Sequence, residues 1–161
     1  MRAGTYPIAR FQVFGERSSG TNFVKRLIGR NTALDHSDEL GWKHGFAQML
    51  AVPRDMAVVC VVRNPERWSL SMFAKPWHST PDLQRLPFSE SIRAEWQTVF
   101  DKQRYLGKLG RHYVGRPLQQ DRDPITGQPF SSLFAMRSTK LAHLMSFPNR
   151  DQLKKHISRT H

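Results

Sequence analysis

The sequence predicts an α/β domain with a small parallel sheet. Two stretches of similar organisation support this prediction. Residues 8–14 form an apolar run that leads through a glycine-containing loop into an amphipathic segment, and residues 57–63 form a second apolar run that leads into another helix start. With 161 residues, 39% of them hydrophobic, the chain is long enough for one domain with its own core. We therefore expect a single domain over residues 1–161.

The first stretch reads as strand, loop and helix. Residues 8–14, IARFQVF, are short and partly alternating, which is typical of a strand. From Thr21 onward the pattern changes to one apolar face and one basic face, which is the spacing of a helix. The apolar face consists of Phe23, Val24, Leu27 and Ile28.

The second stretch contains the most apolar strand of the chain. Residues 57–63, AVVCVVR, are continuously aliphatic, as in a strand that is buried on both faces of a parallel sheet. The single cysteine, Cys60, is expected to be a small buried hydrophobe there. Asn64 and Pro65 follow, and they favour a helix start because asparagine caps N–H groups and proline fits the first helical position.

The rest of the chain predicts helices and turns. Residues 77–87 are expected to form a loop, residues 92–100 a helix, DPITGQP a bend and residues 131–147 a last helix. Only two strands are convincing, with a short third strand possible at residues 33–34, whereas sheets commonly have about five. We therefore expect an incomplete sheet, in a domain that is small and irregular or in a chain that stops short of its natural end. Residues 148–161 are expected to form a disordered or irregular tail.

The composition favours an anionic partner. Lys and Arg number 25 against 13 Asp and Glu, which gives a net charge of +12 at pH 7. A nucleotide, a nucleic acid, a sulfated or phosphorylated molecule and an acidic membrane surface all remain open on this ground. One cysteine and the lack of zinc-ligand spacing predict a cytoplasmic protein without a metal. No apolar stretch approaches the roughly 20 residues of a membrane span.

The stretch GERSSGTN, residues 15–22, has two glycines five positions apart. A loop of this kind between strand and helix directs backbone N–H groups at an anion. In nucleoside-triphosphate loops a lysine follows the second glycine, and a Ser or Thr then holds magnesium. Thr21 and Asn22 occupy those positions here, so an ATP hydrolase or ordinary kinase is disfavoured. Taken alone, the loop could equally be an ordinary turn with a serine N-cap.

The loop has a closer counterpart. RSSGTN followed by an amphipathic helix resembles the 5′-phosphosulfate loop of the sulfotransferases that use 3′-phosphoadenosine 5′-phosphosulfate (PAPS). The sequence around the loop also resembles bacterial sulfotransferase-like proteins with a GERxSGTN loop. The resemblance implies a P-loop-type three-layer α/β/α fold, PAPS as sulfuryl donor and no metal. It also implies that the donor is held by Ser18, Ser19, Gly20, Thr21 and Asn22.

The second stretch adds to the resemblance. VVCVVRNPERWSLSMF is similar to the family's 3′-phosphate segment, in which a strand ends in Arg and the following helix carries a Ser eight residues later. Arg63 and Ser71 have this spacing, which implies that they bind the 3′ phosphate of the donor. Ser69 competes with Ser71 for the role, and a surface ion pair is the alternative for Arg63.

A third motif, WKHGF, lies where cytosolic sulfotransferases carry a lysine and a basic histidine. The resemblance implies His44 as general base and Lys43 as a charge that stabilises the transferring group. The family has one residue between its lysine and histidine, whereas they are adjacent here. The family's basic loop residue aligns with Ser18, so Arg17, one position earlier, is expected to assist the leaving phosphate. A solvent-exposed or capping His44 is the alternative.

The predicted activity is the transfer of a sulfuryl group to an unknown hydroxyl or amine acceptor. Three alternatives stay open: an inactive truncated nucleotide-binding remnant, a P-loop small-molecule kinase with a lysine such as Lys43, and a basic nucleic-acid-binding protein. Arg137 and Lys140 on the last predicted helix are expected to form a solvated basic face rather than to bind the nucleotide.

Overall fold

The computed structural model describes the following residues of the chain: 7–47, 49, 51–102 and 110–147. They form a mixed α/β structure that clusters into two compact units. The first unit comprises the residues up to Arg63 and those from Leu141 onward, and the second comprises Asn64–Lys140. The tail predicted at residues 148–161 lies outside the described residues.

A parallel sheet of three strands, in the order β2-β1-β3, forms the centre of the first unit. The bounds of β1 and β3 differ by one or two residues from those of the two predicted strands, and the helix predicted from Thr21 is confirmed as α1. The short strand β2 begins just after the predicted position. In chain order the elements are β1 (Arg10–Gly15), α1 (Thr21–Asn31), β2 (Asp35–His36) and β3 (Met56–Val61).

The central strand β1 supplies most of the core of the first unit. Phe11, Val13 and Phe14 are each at most 2% exposed. Because successive side chains of a strand point to opposite faces of the sheet, the burial of every residue from Phe11 to Gly15 means that both faces of β1 contribute to the packing. Around Phe14 the core also contains Leu40, Ala47, Met56, Leu144 and Phe147.

Burial in the first unit differs from the expected pattern at Cys60, and the exposure of α1 is also high. The apolar face of α1 is largely uncovered, with Phe23 70% and Leu27 50% exposed. In β3, Cys60 is exposed rather than buried. The prediction for Cys60, which is wrong, assumed that its strand is buried on both faces of the sheet. Among the described residues, however, β3 is an edge strand that pairs with β1 alone.

Short helices and isolated bridges make up the second unit. Asn64 caps its first helix as predicted, because its Oδ1 accepts a hydrogen bond from Arg67 N at 3.1 Å and Pro65 stands at the first helical position. Residues from Leu141 onward in the last helix belong to the first unit. The helices are α2 (Pro65–Ala74), α3 (Pro81–Arg85), α4 (Phe88–Ser91), α5 (Gly110–Tyr113), a 3₁₀ helix (Gln119–Asp121) and α6 (Leu133–Met145).

Two predictions about the second unit are also wrong. The predicted loop at residues 77–87 contains α3, which Pro81 begins. The predicted helix at residues 92–100 is instead a stretch with antiparallel bridges, so its helix-like apolar spacing reflects burial in an extended segment. The bridges join Ser79 to Thr98, Trp96 to Phe130 and Val99 to Pro117. None of the helices formed by the described residues has the length and hydropathy that a bilayer crossing requires.

Arg137 and Lys140 do not form a solvated basic face, since they are 6% and 4% exposed. The guanidinium of Arg137 lies 4.5 Å from the ring centroid of the buried Trp68, within cation–π range. Lys140 Nζ donates a hydrogen bond to Asp121 Oδ1, and Asp121 is 1% exposed. These cations are therefore part of the interior of the second unit, each with a partner there.

Lys140→Met is expected to reduce the free energy of unfolding by about 3–5 kcal/mol, because it leaves the Asp121 carboxylate buried without its ammonium. The double variant Lys140→Met/Asp121→Asn, which removes both charges, should recover most of this loss. Urea unfolding measures both effects.

The matched control is Arg85→Met, which breaks an exposed ion pair with Asp82. It should change the free energy of unfolding by less than about 0.5 kcal/mol. A loss in Lys140→Met no larger than in this control would contradict the buried ion pair.

Candidate functional site

The turn between β1 and α1, residues 15–20, is called the glycine loop below. Its own backbone holds it closed, because Glu16 O accepts hydrogen bonds from Ser19 N at 3.2 Å and from Ser19 Oγ at 2.7 Å. Gly20 and Ser18 have left-handed backbone angles, with φ of 100° and 62°. For a residue with a side chain this conformation costs roughly 1–2 kcal/mol. The loop therefore stores strain at Ser18, as many binding sites do.

Gly15 ends β1 at a point of close approach. A Cβ at this position would lie 2.6 Å from Val61 O, 2.8 Å from Ser19 Oγ and 2.9 Å from Thr21 Cγ2. One of these groups is the backbone of β3, which cannot move without disturbing the sheet. A residue without a side chain is therefore required for the glycine loop to pack against β3.

The N-terminus of α1 is open to an anion. Its N-cap residue is Gly20, so none of the described side chains caps the helix. Its first turn contains no acidic residue either. The partial positive charge of the helix N-terminus is therefore not offset by a carboxylate of the first turn, and it favours a negatively charged group at the glycine loop.

Lys43 and His44 are fixed against the end of β1. Gly15 N donates to Lys43 O at 3.0 Å, and Gly15 O lies 2.7 Å from His44 Nδ1. Because a carbonyl oxygen only accepts hydrogen bonds, His44 Nδ1 carries a proton. In the neutral imidazole the lone pair is then on Nε2, which is the arrangement that a general base needs.

The side chain of Lys43 reaches the start of α1. Its Nζ donates to Asn22 Oδ1 at 2.5 Å, and the residue is half-buried. Burial lowers the pKa of Lys43, the positive charge of Lys25 lowers it further, and Asp38 acts in the opposite direction. A cation supplied from residue 43 therefore stands beside the loop in a chain that has Thr21 in place of the usual loop lysine.

Two arginines lie at the glycine loop. Arg63, which follows β3, donates from Nη1 to Ser18 O at 3.0 Å. Arg17 belongs to the loop itself and is 5% exposed, next to Glu16, which is 1% exposed. The loop thus contains two adjacent buried residues of opposite charge, and the guanidinium of Arg63 contacts the loop at Ser18.

The two serines considered for the 3′ phosphate lie on α2, in the second unit. Ser69 is 3% exposed, and its hydroxyl donates to Glu66 O at 2.8 Å, so it is engaged within its own helix. Ser71 is half-buried. Its role beside Arg63, which belongs to the first unit, stays a prediction from the sequence.

Sequence reasoning missed two residues that position the site. Gln12 is 0% exposed in β1, accepts a hydrogen bond from Leu40 N and donates one to Gly41 O, both at 2.8 Å. His143 Nε2 accepts a hydrogen bond from Ala47 N at 2.8 Å. A polar residue in the middle of an apolar strand was a signal for Gln12. His143 and Ala47 are 96 residues apart, so no local sequence pattern could indicate their contact.

No protein-family model, no curated protein and no solved structure matches this chain. The resemblance to the sulfotransferases therefore stays a prediction. Within the part of the chain that the structure describes, no group of three or more His, Cys, Asp or Glu side chains could hold a metal ion.

Gly15→Ala is expected to lower the free energy of unfolding by about 1–3 kcal/mol, because the added methyl group would overlap with β3 and with the loop. Gly29→Ala is the matched control. Nothing lies within 4 Å of a Cβ at Gly29, which is inside α1, so this change should stabilise the protein by about 0.5–1 kcal/mol. Urea unfolding of both variants provides the comparison, and equal effects would contradict the close approach at Gly15.

Proposed function

We propose that this chain is a sulfotransferase-like protein with a P-loop-type three-layer fold, which transfers a sulfuryl group from PAPS to a hydroxyl or amine acceptor. The observation that carries the proposal is a convergence on the glycine loop and the start of α1. Arg63, Lys43 and His44 contact this region at 3.0, 2.5 and 2.7 Å. Each contact joins residues that lie between 21 and 45 positions apart in the chain.

The hydrogen-bond donors at the glycine loop are appropriate for binding the sulfuryl group of PAPS. A transferring sulfuryl group carries less charge than a terminal phosphoryl group, so N–H groups, hydroxyls and a few cations are sufficient to hold it. Thr21 and Asn22 stand where a triphosphate loop has its lysine and its magnesium-binding hydroxyl. The open N-terminus of α1 and the nearby cations Arg17, Lys43 and Arg63 are an appropriate set of donors.

The residues take distinct roles in this proposal. PAPS supplies an activated sulfuryl group whose departing partner is 3′-phosphoadenosine 5′-phosphate (PAP). His44 takes the proton of the acceptor at Nε2, because its Nδ1–H is held by Gly15 O. Lys43 and Arg17 offset the negative charge on the transferring and departing oxygens. Arg63 offers its guanidinium to the 3′ phosphate.

A small-molecule kinase is the second candidate. Its support is the position of Lys43, whose Nζ contacts Asn22 directly after the loop. A lysine from elsewhere in the chain could there replace the missing loop lysine and bind the outer phosphates of a triphosphate. Magnesium would then be required, which separates this candidate from the first.

Calorimetric titration with PAP, AMP and Mg-ATP at two salt concentrations tests the proposal. PAP is expected to bind more tightly than AMP or Mg-ATP. Arg63→Ala should weaken PAP binding by about tenfold or more, because a charge-assisted hydrogen bond contributes roughly 1.5–3 kcal/mol. The control Arg67→Ala removes an equal charge from an exposed position on α2 and should leave PAP binding unchanged.

Each other result has a definite meaning. Preference for Mg-ATP would favour the kinase. Equal or absent binding of all three nucleotides would contradict the proposal. It would favour an inactive remnant that has no specific nucleotide site. Nucleic-acid binding that weakens steeply with salt would favour the nucleic-acid alternative instead.

The proposed base requires a particular tautomer of His44. Long-range ¹H–¹⁵N NMR at a pH where the ring is neutral should show Nδ1 protonated and Nε2 unprotonated, because Gly15 O accepts from Nδ1. The signals are assigned by their loss in His44→Asn. His112, an exposed histidine, is the comparison within the same spectrum. A proton on Nε2 of neutral His44 would contradict the proposed role.

A further inference from the structure

Basic side chains gather on the β2 side of β1, near the start of α1. In β1, Phe11 O accepts a hydrogen bond from Ser37 N, directly after β2. Alternate residues of a strand direct their backbone groups to the same side. The bonds from Gly15 to Lys43 and His44 therefore lie on the β2 side as well, whereas β3 and the following Arg63 flank the opposite side of β1.

The group consists of Lys25, His36 and Lys43 and is called the β2-side cluster below. Lys25 lies three positions after Asn22 on α1, and residues three apart share a face of a helix. Asn22 is the residue that Lys43 Nζ contacts. His36 is the last residue of β2, which packs against α1. Three segments thus contribute basic side chains to the region between β2 and the start of α1.

In their charged forms these groups repel one another. Burial lowers the pKa of His36, and Lys25 and Lys43 lower it further, against an opposing effect of Asp38. Lys25 lowers the pKa of Lys43 in the same way. Asp38 Oδ1 lies 3.4 Å from His36 Nε2, but the Asp38 side chain is 68% exposed, so solvent screens its charge.

The carboxylate of Glu39, the residue after Asp38, forms an ion pair with Arg10. Glu39 Oε2 accepts a hydrogen bond from Arg10 Nη1 at 2.8 Å, and Arg10 also pairs with Asp55. The β2-side cluster therefore keeps an excess of positive charge at a half-buried position. Perturbed groups of this kind are characteristic of functional sites, because a bound anion removes the repulsion among them.

We propose that the β2-side cluster binds an oxyanion, a phosphate- or sulfate-like group, carried by the acceptor, so that the acceptor is an acidic molecule. This inference rests on the proposed function, in which the donor occupies the glycine loop and the β3 side. Lys43 then lies between the two anions. Lys25 is the new binding residue, since it belongs to none of the motifs.

The experiment titrates inorganic phosphate into the full chain saturated with PAP, at constant ionic strength, and follows backbone amide shifts by NMR. Saturable binding with shifts in α1 and around residues 36–43 is expected. Lys25→Gln should weaken phosphate binding about tenfold, which corresponds to one charge-assisted contact. The same variant should change PAP affinity by less than about twofold.

Lys75→Gln is the matched control, because it removes an exposed lysine directly after α2. Equal phosphate affinity in Lys25→Gln and Lys75→Gln would overturn the inference by showing non-specific attraction. Competition between phosphate and PAP would overturn it too, since the cluster would then belong to the donor site. If PAP fails to bind, the proposed function is contradicted. Phosphate titration of the chain without PAP then tests whether the β2-side cluster binds an oxyanion. Binding that Lys25→Gln abolishes would then keep the oxyanion site and overturn its assignment to an acceptor.

Discussion

The backbone of one residue, Gly15, connects most of the groups of the candidate site. Its N–H and C=O bind the segment of Lys43 and His44, while its Cα lies against Val61 O of β3. These contacts are made on opposite sides of β1. A side chain at this position would separate the strand ends, and the glycine loop would lose its support on β3. The site is therefore built on main-chain geometry first, and its charged side chains are positioned by that geometry.

The segment at residues 40–47 has no regular secondary structure, yet three separate anchors hold it. Gln12 binds both ends of the Leu40–Gly41 peptide region, Gly15 binds residues 43 and 44, and His143 accepts from Ala47 N. Buried backbone groups outside helices and strands need partners of this kind. Each anchor also reduces the conformational freedom of the segment, so that a lysine and a histidine on an irregular stretch keep defined positions relative to the loop.

The accuracy of prediction from the sequence follows the range of the interactions. The glycine loop before α1 and the start of α2 at Asn64 were predictable, because glycine and an N-cap act within about four residues. The exposure of Cys60 and the burial of Lys140 were not predictable. Each depends on a partner that is distant in the sequence: a neighbouring strand for Cys60 and a carboxylate for Lys140. Asp121 is 19 residues away from Lys140. For the site, motifs indicated which residues carry charge, but no spacing indicates that they meet at one loop.

An anionic donor and an anionic acceptor repel as they approach. Two unit charges 4 Å apart repel by about 1 kcal/mol in bulk water and by about 4 kcal/mol at an effective dielectric constant of 20. Lys43 is a half-buried member of the β2-side cluster, and its Nζ contacts Asn22 directly after the glycine loop, so its charge is screened less than that of an exposed lysine. One ammonium that attracts both anions offsets this repulsion. His44, the next residue in the chain, is held at the same strand end, and in the proposed reaction it takes the proton that the attack releases. The proposal thus assigns both functions to adjacent residues on one anchored segment.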